Sequence, residues 1–201
     1  MRCRNLKKLG SFATFSRLFV ILPLIITQFY CRMKPTSIIL AAIACLATCT
    51  SCNKVDNHVV PNFMVRINLG TYALWTTYGV NGVGEYMIFN REKQLPKNFA
   101  YTANTYTGYG GVLLIKGLDV STSTYETLAY DLACPVEYRA DVVLSIDPDN
   151  FEAFCPKCNS RYNVLTGSGG PVKGTALAQK VGLRTYKVYA STNGGYLITS
   201  Y

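Results

Sequence analysis

Residues 154–162 (FCPKCNSRY), with residues 130–137 (YDLACPVE) earlier in the chain, hold all the cysteines that follow residue 52. Cys155 and Cys158 are spaced C-x-x-C, and on a loop between short strands this spacing can direct both sulfurs at one metal ion. A zinc ribbon needs a second such pair, whereas here only Cys134 offers a third sulfur. The sequence therefore indicates an incomplete metal site.

Around these segments the apolar residues alternate as they do in half-buried strands. The first such segment is 63–69 (FMVRINL), in which every second side chain is apolar and can face a core. Further strands are predicted at Tyr72–Thr76, Glu85–Phe89, Val112–Lys116, Tyr125–Leu132, Val142–Ile146, Phe151–Phe154, Arg161–Leu165, Arg184–Ala190 and Tyr196–Tyr201. Asn193-Gly194-Gly195 favours a tight turn, so the last two strands should form a hairpin. Short strands at this density predict an all-β sandwich or small barrel.

Three segments together resemble a known family. Residues 130–135 (YDLACP), residues 155–162 (CPKCNSRY) and Gly169-Gly170-Pro171 look like the two cluster-binding loops and the Gly-Pro loop of Rieske domains. The resemblance covers about residues 110–201. It implies a fold of three stacked antiparallel β-sheets and one-electron transfer through a [2Fe–2S] centre held by two Cys and two His.

Carried over residue by residue, the resemblance places Cys134 and Cys155 at the two cysteine ligands. The prolines of the two cluster loops are Pro135 and Pro156. The histidine positions do not match, because they hold Val136 and Cys158. The single histidine of the chain, His58, cannot serve both positions, so composition alone excludes a centre with two histidine ligands.

Three states of the cysteines remain open at this point. In the first, the domain keeps the fold without a cluster, and Cys134 and Cys155, which the resemblance makes neighbours on one iron, form a disulfide. Cys158 is then a spare thiol, or it pairs with Cys155 and leaves Cys134 free. In the second, the three cysteines bind zinc or an iron–sulfur cluster, with Glu137, solvent or a partner as the fourth ligand. In the third, the cysteines are reduced and buried as small apolar residues.

The first 52 residues have a different composition from the rest. Residues 33–51 show a single Lys, an apolar run and a small polar end, as in a signal peptide, so residues 1–32 are interpreted as an over-extended start. Residues 51–54 (SCNK) resemble the lipobox of bacterial lipoproteins, which predicts lipidation at Cys52. Residues 52–61 then form a short tether, and residues 62–201 form the β domain.

Charge follows the same division. The net charge is +9, but residues 1–51 hold seven Lys/Arg and no Asp/Glu, whereas the remainder holds thirteen Lys/Arg against eleven Asp/Glu. The basic excess belongs to the export signal, so nucleic-acid binding is excluded as an interpretation. An enzyme is also disfavoured, because general acid–base chemistry lacks a histidine other than His58 and no base accompanies the cysteines.

The sequence is therefore interpreted as a membrane-anchored lipoprotein of the bacterial envelope with one Rieske-like domain. The expected role is that of a binding or structural module without a standard [2Fe–2S] centre, acting on an unidentified envelope protein. The alternatives are a one-electron carrier with a cysteine-ligated cluster and a zinc-binding module.

Overall fold

The alternation in residues 65–69 builds the first strand of the protein. In the computed structural model, which describes residues 54–200, Val65, Ile67 and Leu69 are buried, while Arg66 and Asn68 are exposed. Phe63 lies before the strand with 50% of its surface exposed, so the buried alternation begins one step later than the sequence suggests.

The described residues form thirteen strands and two short helices. Their bounds are β1 Val65–Thr71, α1 Tyr72–Tyr78, β2 Tyr86–Phe89, β3 Tyr106–Thr107, β4 Val112–Asp119, β5 Thr124–Asp131, β6 Ala133–Cys134, β7 Arg139–Val143, β8 Ser145–Asp147, β9 Glu152–Phe154, β10 Arg161–Asn163, β11 Pro171–Lys173, α2 Thr175–Gln179, β12 Thr185–Ala190 and β13 Gly194–Thr199. The predicted all-β class is confirmed.

These strands form three antiparallel sheets, in agreement with the architecture that the Rieske resemblance implies. The large sheet has seven strands in the order β2-β4-β5-β12-β13-β1-β3. The four-stranded sheet has the order β11-β10-β9-β8, and β6 pairs with β7 in a third sheet. The predicted hairpin at Asn193-Gly194-Gly195 is also present, since β12 pairs with β13 and Gly194 has φ +80°.

Strand β4 lies between two buried clusters. On one face of the large sheet, Val112 and Leu114 belong to a buried cluster that also contains Val65 and Ile67 of β1. The alternate side chains, Leu113 and Ile115, pack toward the smaller sheets in a second cluster. That second cluster contains both buried cysteines, so the sulfur site belongs to the core that joins the sheets.

Residues 72–76 are a helix, and their prediction as a strand is wrong. The Thr71 hydroxyl caps α1 by accepting from the Leu74 N–H at 3.3 Å. Trp75 is the buried residue of this helix, and its ring lies 4.3 Å from that of Tyr196. Aromatic and β-branched residues favour strands in isolation, but the cap and the packing of Trp75 favour one short helix.

The predicted strand Val142–Ile146 is divided into β7 and β8. The division falls at Leu144, whose N–H leaves the ladder and donates to Leu132 O at 2.8 Å. Four elements were not predicted: β3, β6, β11 and α2. Each has five residues or fewer, which is too short for a periodic pattern to be visible.

Part of the predicted tether packs along the domain. Asp56 bridges to Val181 and exchanges backbone hydrogen bonds with Lys180 and Gly182, both at 2.9 Å. Val60 is 1% exposed, and its carbonyl accepts from Arg184 Nε at 2.6 Å. The folded domain therefore extends back to about residue 56.

The predicted start, signal peptide and lipidation site, residues 1–52, lie outside the described residues. Within residues 54–200, neither helix is long and apolar enough to cross a membrane. Asn53–Tyr201 is a compact unit that contains both buried clusters, so residues 53–201 can be studied as a separate chain.

Candidate metal centre

Two loops of the same shape carry the three sulfurs. In each loop, the N–H of the fourth residue after a cysteine donates to that cysteine's carbonyl at 3.0 Å, from Tyr138 to Cys134 and from Asn159 to Cys155. Tyr138 and Asn159 both have φ +54°, so each loop reverses through a left-handed residue. The third positions after the two cysteines, Glu137 and Cys158, are thus equivalent in the two loops.

The loops bring the sulfurs into one cluster. Among residues 54–200, Cys134, Cys155 and Cys158 form a group whose sulfur atoms all lie within 4.8 Å of one another. The Sγ atoms of Cys134 and Cys158 are 3.6 Å apart. Two sulfurs bound to one tetrahedral zinc ion are separated by about 3.8 Å, as Zn–S bonds of about 2.3 Å require. The cluster therefore has the dimensions of a site for a single ion.

The three thiols differ in exposure. Cys134 and Cys155 are each 0% exposed, whereas Cys158 is partly exposed. All three are free thiols in this structure. The site is therefore closed on the side of the core and open to solvent at Cys158.

Two hydroxyl groups contact the sulfurs, and the sequence interpretation gave neither of them a role. The Cys158 thiol donates to Ser160 Oγ at 3.2 Å, and the same hydroxyl can donate to the sulfur once the thiol ionises. Ser160 is itself fixed, because its Oγ accepts from the Ala176 N–H at 3.0 Å. Tyr162 Oη lies 3.8 Å from Cys134 Sγ. In the sequence, the feature that could have indicated these two contacts is the position of Ser160 and Tyr162, two and four residues after Cys158.

These surroundings give the thiols different acidities. Burial raises the pKa of Cys134 to about 12, although backbone N–H groups of Glu137 and Val136 oppose the shift. Burial of Cys158 acts in the same direction, but hydrogen bonds with Ser160, Cys155 and Cys134 outweigh it and hold the pKa of Cys158 below its ordinary value. A metal ion that binds here must therefore displace a proton from Cys134.

A buried carboxylate fixes the start of the first loop. Asp131 is 0% exposed and accepts from Tyr186 Oη at 2.5 Å and from the N–H groups of Tyr109, Gly110 and Ala133 at 2.7–3.0 Å. Burial raises the pKa of Asp131, and these four donors oppose the shift. Because Ala133 precedes Cys134, the carboxylate sets where the first sulfur enters the core.

Glu137, the predicted candidate for a fourth ligand, is bound to another partner. Its Oε2 lies 2.5 Å from Lys157 Nζ, and its side chain is 15% exposed. Lys157 stands between Cys155 and Cys158, so the ion pair joins the two loops beside the sulfurs. Glu137 is not a member of the compact group found among residues 54–200.

The other predicted site residues frame the loops. Pro135 is buried beside Cys134, whereas Pro156 is exposed. Gly169 has φ +57°, and an added Cβ would lie 2.9 Å from the Tyr130 ring, so this position requires glycine. Gly170 and Pro171 continue from it into β11, and the Asn163 N–H donates to Gly170 O at 2.9 Å.

The donor set does not fit the centre of the Rieske family. His58 is exposed and is not part of the sulfur group, and Val136 offers no ligand atom. Thiolates in a compact group suit one soft ion such as zinc.

No protein-family model matches the chain, and no curated protein matches it. Among solved structures, the chain is similar to the ferredoxin of carbazole 1,9a-dioxygenase from Nocardioides aromaticivorans IC177. The two chains are 14% identical, with a TM-score of 0.34 and coverage of 67% of this chain and 96% of the ferredoxin.

The site predicts an order of thiol reactivity. In metal-free, reduced residues 53–201, iodoacetamide should label Cys158 first, because it is partly exposed and its pKa is lowered. Trypsin cleaves after Lys157 and separates Cys155 from Cys158, so peptide masses report each thiol. Ser160→Ala should shift the pH midpoint of Cys158 labelling upward. Equal labelling of Cys134, or an unchanged midpoint in a variant that keeps its circular dichroism spectrum, would contradict the geometry.

Proposed function

We propose that this domain is a non-enzymatic metal-binding module in which Cys134, Cys155 and Cys158 hold one thiophilic ion, with zinc as the expected metal. The observation that carries the proposal is the set of three sulfurs within 4.8 Å of one another, presented by two loops of the same shape. Three thiolates leave one position of a tetrahedral ion for water or another small ligand. When bound, the ion links the two loops.

The surroundings of the sulfurs support a bound ion. Two of the ligands lie in the core that joins the sheets, so the metal would stabilise the packing of β6 against β9 and β10. Hydroxyl groups of Ser160 and Tyr162 can donate to the thiolates, as groups around metal ligands commonly do. Lys157, paired with Glu137, supplies positive charge beside a site that carries excess negative charge when metal is bound.

We further propose that the module is attached to the bacterial envelope through a lipid on Cys52. The support is the signal-like segment 33–51 and the lipobox-like residues 51–54. Asp56 and Val60 contact the domain, so only a few residues of sequence separate the proposed lipid site from it. In this proposal the module binds an envelope protein at that location.

Metal content and affinity test the module directly. Reduced residues 53–201, purified without oxygen, should bind about one zinc ion per chain and show no visible absorption bands. In competition with a chelating dye, serine at any of the three cysteines should weaken zinc binding by at least about 100-fold, because a ligand is lost. Zinc affinity should fall as pH falls, since the thiols must ionise.

Variants of the ion pair separate a ligand from a neighbour. Glu137→Gln and its matched control Lys157→Gln should each change zinc affinity by less than about tenfold, because each removes one side of an ion pair and neither removes a ligand. Lys157→Gln should weaken binding, because it removes a positive charge beside the thiolates, whereas Glu137→Gln should not weaken it. A large loss in Glu137→Gln alone would make Glu137 a ligand. If the purified protein instead held about two iron atoms per chain and showed visible absorption bands, the domain would be a one-electron carrier and not a zinc module.

Lipid attachment has its own test. The chain from Met33, expressed in a bacterium fed with labelled palmitate, should incorporate the label and appear in the membrane fraction. Cys52→Ser should abolish both results, whereas Cys49→Ser should leave them unchanged. Equal labelling of the Cys52→Ser variant would contradict attachment at this residue.

A further inference from the structure

The three sulfurs differ in their access to a solvent reagent. Cys134 and Cys155 have no exposed surface, while Cys158 lies at the open side of the cluster. An external reagent therefore reaches Cys158 first, and any reaction of the buried sulfurs must pass through it. The difference in solvent access among the three sulfurs is not needed for metal binding, because a bound ion would use all three sulfurs alike.

Cys134 is the sulfur placed to follow Cys158. Their Sγ atoms lie 3.6 Å apart, about 1.5 Å more than a disulfide bond. They stand on different loops, which the Glu137–Lys157 ion pair already holds together. A bond between them would therefore cross-link two loops that are already adjacent.

We propose that Cys158 and Cys134 form a thiol–disulfide exchange pair whose substrate is an external disulfide. Cys158 loses its proton to solvent and attacks one sulfur of the external disulfide, forming a mixed disulfide and releasing one external thiolate, which takes up a proton. Cys134 then attacks the Cys158 sulfur as a thiolate, the bond from Cys158 to the external sulfur breaks, and the second external thiolate leaves and takes up the proton that Cys134 has lost. The two protein thiols are oxidised by two electrons, and one external disulfide is reduced to two thiols.

The product differs from the disulfides that the sequence leaves open, which join Cys155 to Cys134 or to Cys158. Formation of the Cys134–Cys158 disulfide also affects metal binding, and this part of the inference rests on the proposed function. A Cys134–Cys158 disulfide removes two of three thiolate ligands, so the oxidised domain cannot retain the ion. Conversely, a bound ion occupies the attacking sulfur. Metal binding and the disulfide are thus alternative states of one site.

Disulfide mapping tests the pair on metal-free residues 53–201, which contain only these three cysteines. After treatment with oxidised glutathione and trypsin without reduction, peptide 117–139, with Cys134, should be joined to peptide 158–161, with Cys158. Cys155, on peptide 140–157, should remain free. The whole protein should lose about 2 Da relative to its reduced form, as one disulfide requires.

Variants assign the order of the steps. Cys134→Ser should stop at a stable mixed disulfide with one glutathione on Cys158, and Cys158→Ser should react much more slowly. Cys155→Ser is the matched control and should still form the Cys134–Cys158 bond. A bond to Cys155 in the unmodified protein, or three thiols that stay free, would overturn the proposal.

Zinc separates this proposal from the proposed function. Saturating zinc should slow disulfide formation by at least about tenfold, and oxidation of the zinc-loaded domain should release zinc to a chelating dye. If the disulfide forms but zinc never binds, the metal module fails and the exchange pair stands. If zinc binds but glutathione yields no Cys134–Cys158 bond, the exchange pair alone fails.

Discussion

Asp131, a carboxylate with no exposed surface, connects the large sheet to the loop that begins with Cys134. It accepts from Tyr186 on β12, from Tyr109 and Gly110 in the segment before β4, and from Ala133 on β6. A buried carboxylate is costly unless such partners surround it, so this arrangement holds only when all of these segments are in place. The position of the first sulfur is therefore a consequence of how the large sheet closes, and the second loop then packs against it.

The two loops have the same shape, and the residue types that follow Cys134 and Cys155 determine which metal chemistry the loops can support. Histidines would supply neutral nitrogen ligands to a second iron, but Val136 supplies no ligand atom and Cys158 adds another sulfur. The result is a compact set of soft ligands with one sulfur open to solvent. Such a set can bind a thiophilic ion or undergo thiol–disulfide exchange. Both proposals arise from the presence of Cys158 beside the two buried cysteines.

Much of this arrangement could be predicted from the sequence. Alternation at Val65, Ile67 and Leu69 is a local pattern, and the C-x-x-C spacing identifies the sulfurs without the fold. The helix at 72–78 could not be predicted in this way, because it depends on the Thr71 cap and on Trp75 packing against Tyr196. The pairing of Glu137 with Lys157, and the closeness of Cys134 to Cys158, are contacts between distant segments. They depend on how two loops meet, which no spacing along the chain encodes.

X-ray absorption at the zinc edge tests most directly whether the three sulfurs bind one ion. Residues 53–201 loaded with zinc should show three sulfur neighbours at about 2.3 Å and one oxygen or nitrogen neighbour at about 2.0–2.1 Å. The Cys158→Ser variant should lose one of the sulfur neighbours. A site with no sulfur neighbours, or an unchanged spectrum in the Cys158→Ser variant, would contradict the account.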